Sequence, residues 1–394
     1  MTLEEALKVA SDFIEAQDPG NALNLYQQIA NRIPTHVEAR LGMAKAFLLQ
    51  DKSLQAKSTI LNVAIGNATD AAVLSDCAGI LEASGFHDEA AAVRQLLVDL
   101  GNNVSRILNL LSDDLSMIDL GSSGQAVIQA PNWIAPRIAF TSLDALSVGS
   151  NHSRFGAYHP VREVIAPEAG PAVFHERAFL PCSSLLDIDH ETFRAFGLQD
   201  LSAIVKSHEV VATTLADVLR DARIDRIDYI KTDLEGMDER VVRSAESLVA
   251  GAAVVQMELR FLPLFEGEPY LDETVAYMRG RGFEVLHLST ETWRYNTEHR
   301  DYTQRGRSIF ADTTFIKNFE AYSLIHGKSD ETVVRYCLIC LLSGNVNYAE
   351  YVIETHGALV DPSVRSALKF LIFPLGNAQP APYRRESLAH VGFS

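Results

Sequence analysis

Three carboxylates and a lysine recur in this chain at spacings that suit proton or cation chemistry. Asp228-Tyr229-Ile230-Lys231-Thr232-Asp233-Leu234-Glu235-Gly236 reads as a strand running into alternating acids and a glycine turn. Downstream, Gln256-Met257-Glu258-Leu259-Arg260-Phe261 reads as the next strand, followed by Pro263-Leu264-Phe265-Glu266-Gly267-Glu268-Pro269. Asp233, Glu235 and Glu258 then project from the carboxyl ends of two neighbouring strands. Clustered carboxylates repel one another, so they call for a cation, hydrogen-bond donors or a proton. Asp233 is the first choice for removing a proton from a substrate. Lys231 alternates with it on one side of the strand and would neutralise the cluster when no substrate is bound. Direct acid/base work is favoured over a divalent cation held by two carboxylates plus waters, because no further ligand is evident. The bland alternative is that Asp233 or Glu235 caps the helix starting near Met237.

A second candidate is Met117-Ile118-Asp119-Leu120-Gly121-Ser122-Ser123-Gly124-Gln125. An apolar strand ending in Asp and a Gly turn puts backbone N–H groups and a carboxylate at a strand's carboxyl edge. Open α/β sheets bind ligands at that edge. A dinucleotide fingerprint would need glycines where Ser123 and Ala126 stand, so that reading fails. A plain strand-to-loop turn explains the segment equally well. Cys337 and Cys340 have metal-ligand spacing but no second pair, and Val333, Val334, Leu341 and Leu342 mark them as helix core. Cys77 reads the same way. His175, His208 and His287 form no cluster, though any could serve as a base if the fold brought it to the cleft. Trp293-Arg294-Tyr295 falls in the loop before the last strand, where Trp293 either walls a substrate pocket or packs locally.

The elements that must position these groups follow from periodicity. Residues 1–102 read as helix after helix. Ala10, Ala44 and Ala78 lie 34 apart, as do Ala22, Ala56 and Ala90; Phe13, Phe47 and Leu81 keep the same register, and Pro34 closes the first unit. Small residues at fixed points let paired helices approach closely, and the region resembles three tetratricopeptide (TPR) units. Such a domain suggests a protein partner. From residue 103 to 318, β-rich runs appear at 115–120, 137–141, 161–165, 226–232, 253–261, 283–288 and 308–316. Helical stretches at 214–221, 237–250 and 271–281 separate the later ones, which argues for a doubly wound α/β domain. No helix separates the last two runs, so they are expected to pair antiparallel. Residues 319–394 read as a helical C-terminal segment with a poorly ordered end. Ser343-Gly344 and Ala349 repeat the spacing of Ser84-Gly85 and Ala90, so this segment is expected to add a repeat-like pair. It would pack on its own N-terminal domain or, as a homodimer, on a second subunit.

Composition narrows the function classes. Lys+Arg number 34 against 51 Asp+Glu, a net charge of −17 with no basic stretch, which argues against nucleic acid as a partner. No apolar run is long enough for a membrane span. The acidic, amphipathic start lacks the features of a signal peptide. The 4 cysteines do not form a disulfide framework, so a reducing cytoplasm is expected.

Over roughly residues 105–318, the ordered set of motifs resembles the FkbM-type family of S-adenosylmethionine (SAM)-dependent methyltransferases. The residues that carry it are the Asp119-x-Gly121 turn, Pro181-Cys182-Ser183-Ser184-Leu185, Thr214-Leu215-Ala216-Asp217, Lys231-x-Asp233-x-Glu235-Gly236, the acidic strand with Glu258, and Gly282-Phe283. The resemblance implies a class I, Rossmann-like seven-stranded sheet and methyl transfer to a hydroxyl of a sugar, glycan or secondary metabolite in a bacterial enzyme. It implies SAM at Asp119, Gly121, Ser122, Ser123, Gly124 and Gln125 and at the loop after Thr141. Asp144 is the nearest acid for the ribose hydroxyls, and Ser183 and Ser184 fall on the substrate side. The chain departs from the family turn D-V-G-A-N-x-G at Ser122, Ser123 and Gln125. The alternative is a catalytically degenerate scaffold that binds a protein through its repeats.

Overall fold

The computed structural model describes residues 2–121, 130–144, 154–297 and 306–378. By internal packing the chain divides into two units. Among the described residues, one comprises 2–110, 131–133 and 346–378; the other comprises 111–121, 130, 134–144, 154–297 and 306–345.

The first unit opens with three helix pairs: α1 (Leu3–Glu15) with α2 (Pro19–Arg32), α3 (Val37–Leu49) with α4 (Ser53–Gly66), and α5 (Ala71–Ala83) with α6 (His87–Leu108). The first members start at Leu3, Val37 and Ala71 and the second at Pro19, Ser53 and His87, so both series step by 34 residues. The recurring Ala10, Ala44, Ala78, Ala22, Ala56 and Ala90 are all buried, as close helix approach requires. Gly42 serves the same purpose, because a Cβ there would meet the Tyr26 ring at 2.3 Å.

The second unit is built on a seven-stranded sheet. Its strands are β1 (Leu115–Leu120), β2 (Ile138–Leu143), β3 (Ala157–Val161), β6 (Tyr229–Thr232), β7 (Val254–Arg260), β8 (Phe283–Trp293) and β9 (Arg307–Lys317). A separate hairpin pairs β4 (Gly170–Arg177) with β5 (Ile204–Ala212). The sheet order is β3-β2-β1-β6-β7-β9-β8, parallel from β3 to β7, with β9 antiparallel to both neighbours. Helices α7 (His190–Ala195), α8 (Leu215–Asp221), α9 (Asp238–Ser244), α10 (Glu246–Val249) and α11 (Leu271–Arg279) connect the strands. Apolar runs such as Val254, Val255 and Met257 are fully buried, as strands covered on both faces must be. The class I methyltransferase-like sheet expected from the sequence is thus present, and β8 and β9 do pair antiparallel.

Three expectations shift. The strand expected at 161–165 is instead Ala157–Val161, an exposed edge strand that tolerates Pro160. The hairpin β4–β5 had no counterpart among the expected strands. The helix expected over 237–250 is interrupted at Ala245 between α9 and α10.

The C-terminal segment is shared between the units. Helices α12 (Phe319–His326) and α13 (Asp330–Leu342) belong with the sheet, and α14 (Val346–His356) and α15 (Pro362–Ala378) with the N-terminal helices, where α15 packs on α6 and α4. Gly344 and Gly85 both have φ +79 before helices whose Ala349 and Ala90 are buried, so the repeated spacing reflects repeated geometry. Cys337 and Cys340 are core residues of α13.

A buried ion pair ties α13 to the sheet. Arg335 is fully buried; its Nη1 donates to Asp228 Oδ2 at 2.9 Å and its Nη2 to Asp113. Asp228 also accepts from Ser116 N at 2.9 Å and Arg226 Nε at 3.0 Å. Removing one partner of such a pair strands the other charge in a dry interior. We expect Arg335→Met to cost about 3–5 kcal/mol in urea unfolding, with Asp228→Asn added restoring part of it. A loss below about 1 kcal/mol, typical of surface pairs, would show that α13 is held by apolar packing alone.

Candidate functional site

The carboxyl ends of β2, β1 and β6 are drawn together by backbone hydrogen bonds: Gly121 N donates to Leu143 O at 2.8 Å, and Asp233 N to Leu120 O at 2.9 Å. Gly121 has φ +80, and a Cβ there would lie 2.0 Å from the Asp233 carbonyl oxygen, so no other residue fits. Glu235 (φ +49) and Gly236 (φ +91) follow in left-handed conformations. That turn is held by Ser184, whose Oγ donates to Glu235 O at 2.8 Å.

The acids then meet one buried guanidinium. Arg260, on β7, contacts Glu258 through Nη1, Glu235 through Nη2 at 3.4 Å and Glu268 through Nε at 3.1 Å. Glu268 in turn accepts from the backbone N–H groups of Leu264 and Phe265. Carboxylate oxygens of Asp233, Glu235 and Glu258 come within 4.8 Å of one another. Lys231 Nζ lies 3.3 Å from Asp233 and 4.0 Å from Asp119. Burial pushes the Lys231 ammonium down, but the two carboxylates outweigh it and raise its pKa.

Burial also raises Glu235 well above the usual carboxylate range, with Glu258 reinforcing the shift and Arg260 opposing it. Glu258 is pushed up to about 8 by burial, against Arg260 and with Asp233, Asp238 and Asp312. The acids outnumber the two cations that face them, Arg260 and Lys231, and burial favours the protonated form of Glu235 and Glu258. Such a cluster is suited to giving or taking a proton, or to holding a cation.

A cleft of about 380 Å³ opens at this edge. It is lined by Gly121, Leu143, Asp144 and Glu163, by Ser183, Ser184, Asp233 and Glu235, and by the apolar Phe174 and Leu180. Asp144 is the first residue after β2, which runs two residues further than the sequence suggested. Thr141 consequently sits inside β2, buried, and does not line the cleft. Asp119 and Lys231 lie beneath the edge, and Glu258 reaches the cluster from the neighbouring strand. Trp293 ends β8 rather than standing in a loop, and packs edge-on against Phe193, Phe196 and Phe310. It is a packing residue, because β8 extends five residues past the expected end. Ser122, Ser123, Gly124 and Gln125 lie outside the described residues. Arg260 and Glu268 had no assigned role from sequence, although Glu258 and Arg260, two apart on one strand, necessarily share a face. No pattern pointed to Glu163.

Residues 149–285 match the family model of the methyltransferase FkbM domain. The matched stretch lies within the α/β unit, and the likeness is to a methyltransferase domain. Among solved structures, the chain is similar to one assigned as an RNA methyltransferase from Pyrococcus horikoshii, at 10% identity and a TM-score of 0.22 over 55% of this chain and 84% of that one. It is also similar to a precorrin-6y C5,15-methyltransferase from Geobacter metallireducens, at 15% identity and a TM-score of 0.23 over 54% of this chain and 88% of that one. Both scores are too low to support more. No curated protein matches the chain.

The Glu258 shift has a measurable consequence. Its native pKa lies above its unfolded value, so the native state keeps a proton that the unfolded chain loses. Stability should therefore fall as pH rises from about 5 to about 8. Glu258→Gln should flatten that decline in melting temperature against pH. An unchanged slope would show that Glu258 is not its source.

Proposed function

We propose that the chain is a SAM-dependent O-methyltransferase acting on a hydroxyl of a sugar, glycan or secondary metabolite. The observation that carries this reading is the acid-lined cleft at the carboxyl ends of β1, β2 and β6, whose Glu163, Ser183, Ser184, Asp233 and Glu235 fall inside the stretch that matches the FkbM domain while Gly121 and Asp144 precede it. The residues present fit the cofactor. Gly121 lines the cleft at the β1 edge, and Asp144 stands directly after β2, where it can accept from ribose hydroxyls. When bound, SAM supplies an electrophilic methyl group.

The chain's own residues do the rest. Asp144 and Gly121 hold the donor end, while Ser183 and Ser184 close the acceptor end. Asp233 borders the cleft and is the side chain placed to take the proton of an incoming alcohol. Lys231 steadies its charge from behind, and Arg260 fixes Glu235 and Glu258 beside it. Alignment of donor and acceptor can contribute on the order of 7–11 kcal/mol of the barrier, so much of the protein's task is to hold these walls still. Positioned proton removal adds roughly 10²–10⁴-fold.

The N-terminal helix pairs are read as TPR-like and as the docking site of a protein partner, on a groove lined by Tyr26, His36, Lys45 and Asp76. Among the described residues no helix is long and apolar enough to cross a membrane; with the acidic surface, this supports a cytoplasmic setting.

SAM at about 100 times its dissociation constant should raise stability by about 2.7 kcal/mol, read as a rise in melting temperature. Asp144→Ala should weaken SAM binding by roughly tenfold or more, the loss of a charged hydrogen bond. With an accepted alcohol, Asp233→Asn should lower turnover by roughly 10²-fold at unchanged SAM affinity, and chelator should have no effect. Loss with chelator as well would replace the base by a cation. Absence of any thermal shift or calorimetric heat with millimolar SAM would favour a non-catalytic scaffold.

A further inference from the structure

The acceptor end of the cleft does not stop at polar residues. Leu180 lines it and is also 56% exposed, and the exposure continues to Phe179, Leu201, Ile204 and Val205. Backbone pairing makes these residues neighbours: Phe179 N donates to Leu201 O at 2.9 Å, and Arg177 stands opposite Ile204 at the end of the β4–β5 hairpin. Single exposed apolar side chains are ordinary, but five at one hairpin end beside a cleft form a patch that calls for a ligand.

The patch rests on a fixed base. Arg177 is buried beneath it and donates to Ser202 O at 2.8 Å and Leu186 O at 3.2 Å, tying both sides of the rim together. The charge of the cleft is equally one-sided. Its described titratable lining residues are Asp144, Glu163, Asp233 and Glu235, all acids, so an anionic head group is disfavoured there.

We propose that this rim binds the apolar tail of the acceptor, which is therefore a neutral, hydroxyl-bearing amphiphile rather than a free sugar or a phosphorylated one. The inference rests on the methyl-transfer reading of the cleft and adds a substrate class to it. The head lies at Ser183, Ser184 and Asp233, and the tail leaves across Leu180 onto Phe179 and Ile204. Continuity of the rim with the cleft wall favours the cleft's own ligand as occupant over a second copy of the chain.

The test compares n-octyl and methyl β-D-glucoside as probes, each below micelle-forming concentration and with S-adenosylhomocysteine present, by calorimetry on the full chain. We expect the octyl compound to bind at least roughly tenfold more tightly, and Phe179→Ser/Ile204→Ser to erase most of that difference. Both positions are exposed, and the melting temperature of the variant checks its folding. Equal affinity for the two glucosides, no octyl glucoside binding, or an unchanged preference in the variant would overturn the proposal. So would concentration-dependent dimerisation that the same substitutions abolish, because the rim would then belong to a second copy. Octyl glucoside binding that depends on the rim, without any S-adenosylhomocysteine binding, would instead remove the methyl-transfer reading and leave the rim in place.

Discussion

Arg260 is the charge around which the site is arranged. A guanidinium buried on β7, with the rings of Phe265 and Phe310 at 5.8 and 5.2 Å, would cost several kcal/mol if it stood alone. Three carboxylates from three separate segments answer it. Glu258 shares its strand, Glu235 comes from the turn after β6, and Glu268 comes from the loop that follows β7. Holding Glu268 also fixes that loop through the Leu264 and Phe265 amides. Holding Glu235 fixes a left-handed turn that Ser184 grips from the other side. The countercharge is nonetheless incomplete, since Asp233 and Asp238 add further negative charge nearby. Burial, reinforced by that excess, lifts Glu258 and Glu235 and sets the cluster apart from a plain salt bridge.

A second buried pair does the opposite work within the same unit. Asp228 precedes β6 and binds Arg335 from α13, while Asp233 follows β6. The same strand thus begins in a paired network, with Asp228 accepting from Ser116, Arg226 and Arg335, and ends in an under-neutralised one. Pairing at the start rigidifies, whereas surplus charge at the end stays available for chemistry. The distinction follows from topology: parallel strands bring all their carboxyl ends to one edge, and there Gly121 and Gly236 let the backbone pass without side chains.

What could be read in advance tracks how strongly packing constrained the residue types. The helix pairs were legible because alanines at close contacts recur every 34 residues, and no larger residue fits there. The central strands were legible as continuous apolar runs. The hairpin β4–β5 was not, because it is largely exposed and its Val173, Val205 and Val211 point away from any core. For the same reason β8 looked too short: Ser289, Thr290, Glu291 and Thr292 form a strand whose polarity reads as loop, and Trp293 was displaced with them. Asp233, Glu235 and Glu258 were recognisable as a group from strand alternation alone. Arg260 stood in the same pattern, but a cation two residues from an acid reads as an ordinary surface pair until burial is known. Thr141 and Asp144 differ only in where β2 ends, a boundary of two residues that sequence patterns rarely resolve.

On the proposed function, the acid lining of the cleft has a further physical effect. A sulfonium donor carries positive charge at the transferring centre, and the thioether left after transfer does not. The acids lining the cleft therefore favour the donor over its product electrostatically, in a setting where low dielectric strengthens the difference. The same field opposes an anionic acceptor and lowers the cost of releasing an alcohol proton only if that proton finds a base already short of countercharge. Arg260 binds Glu235 and Glu258 directly, whereas Asp233 lies 3.3 Å from Lys231 and has the most exposed side chain of the three, which makes it the acid most accessible to an acceptor in the cleft. The division of labour among the three acids thus follows from where the two cations sit.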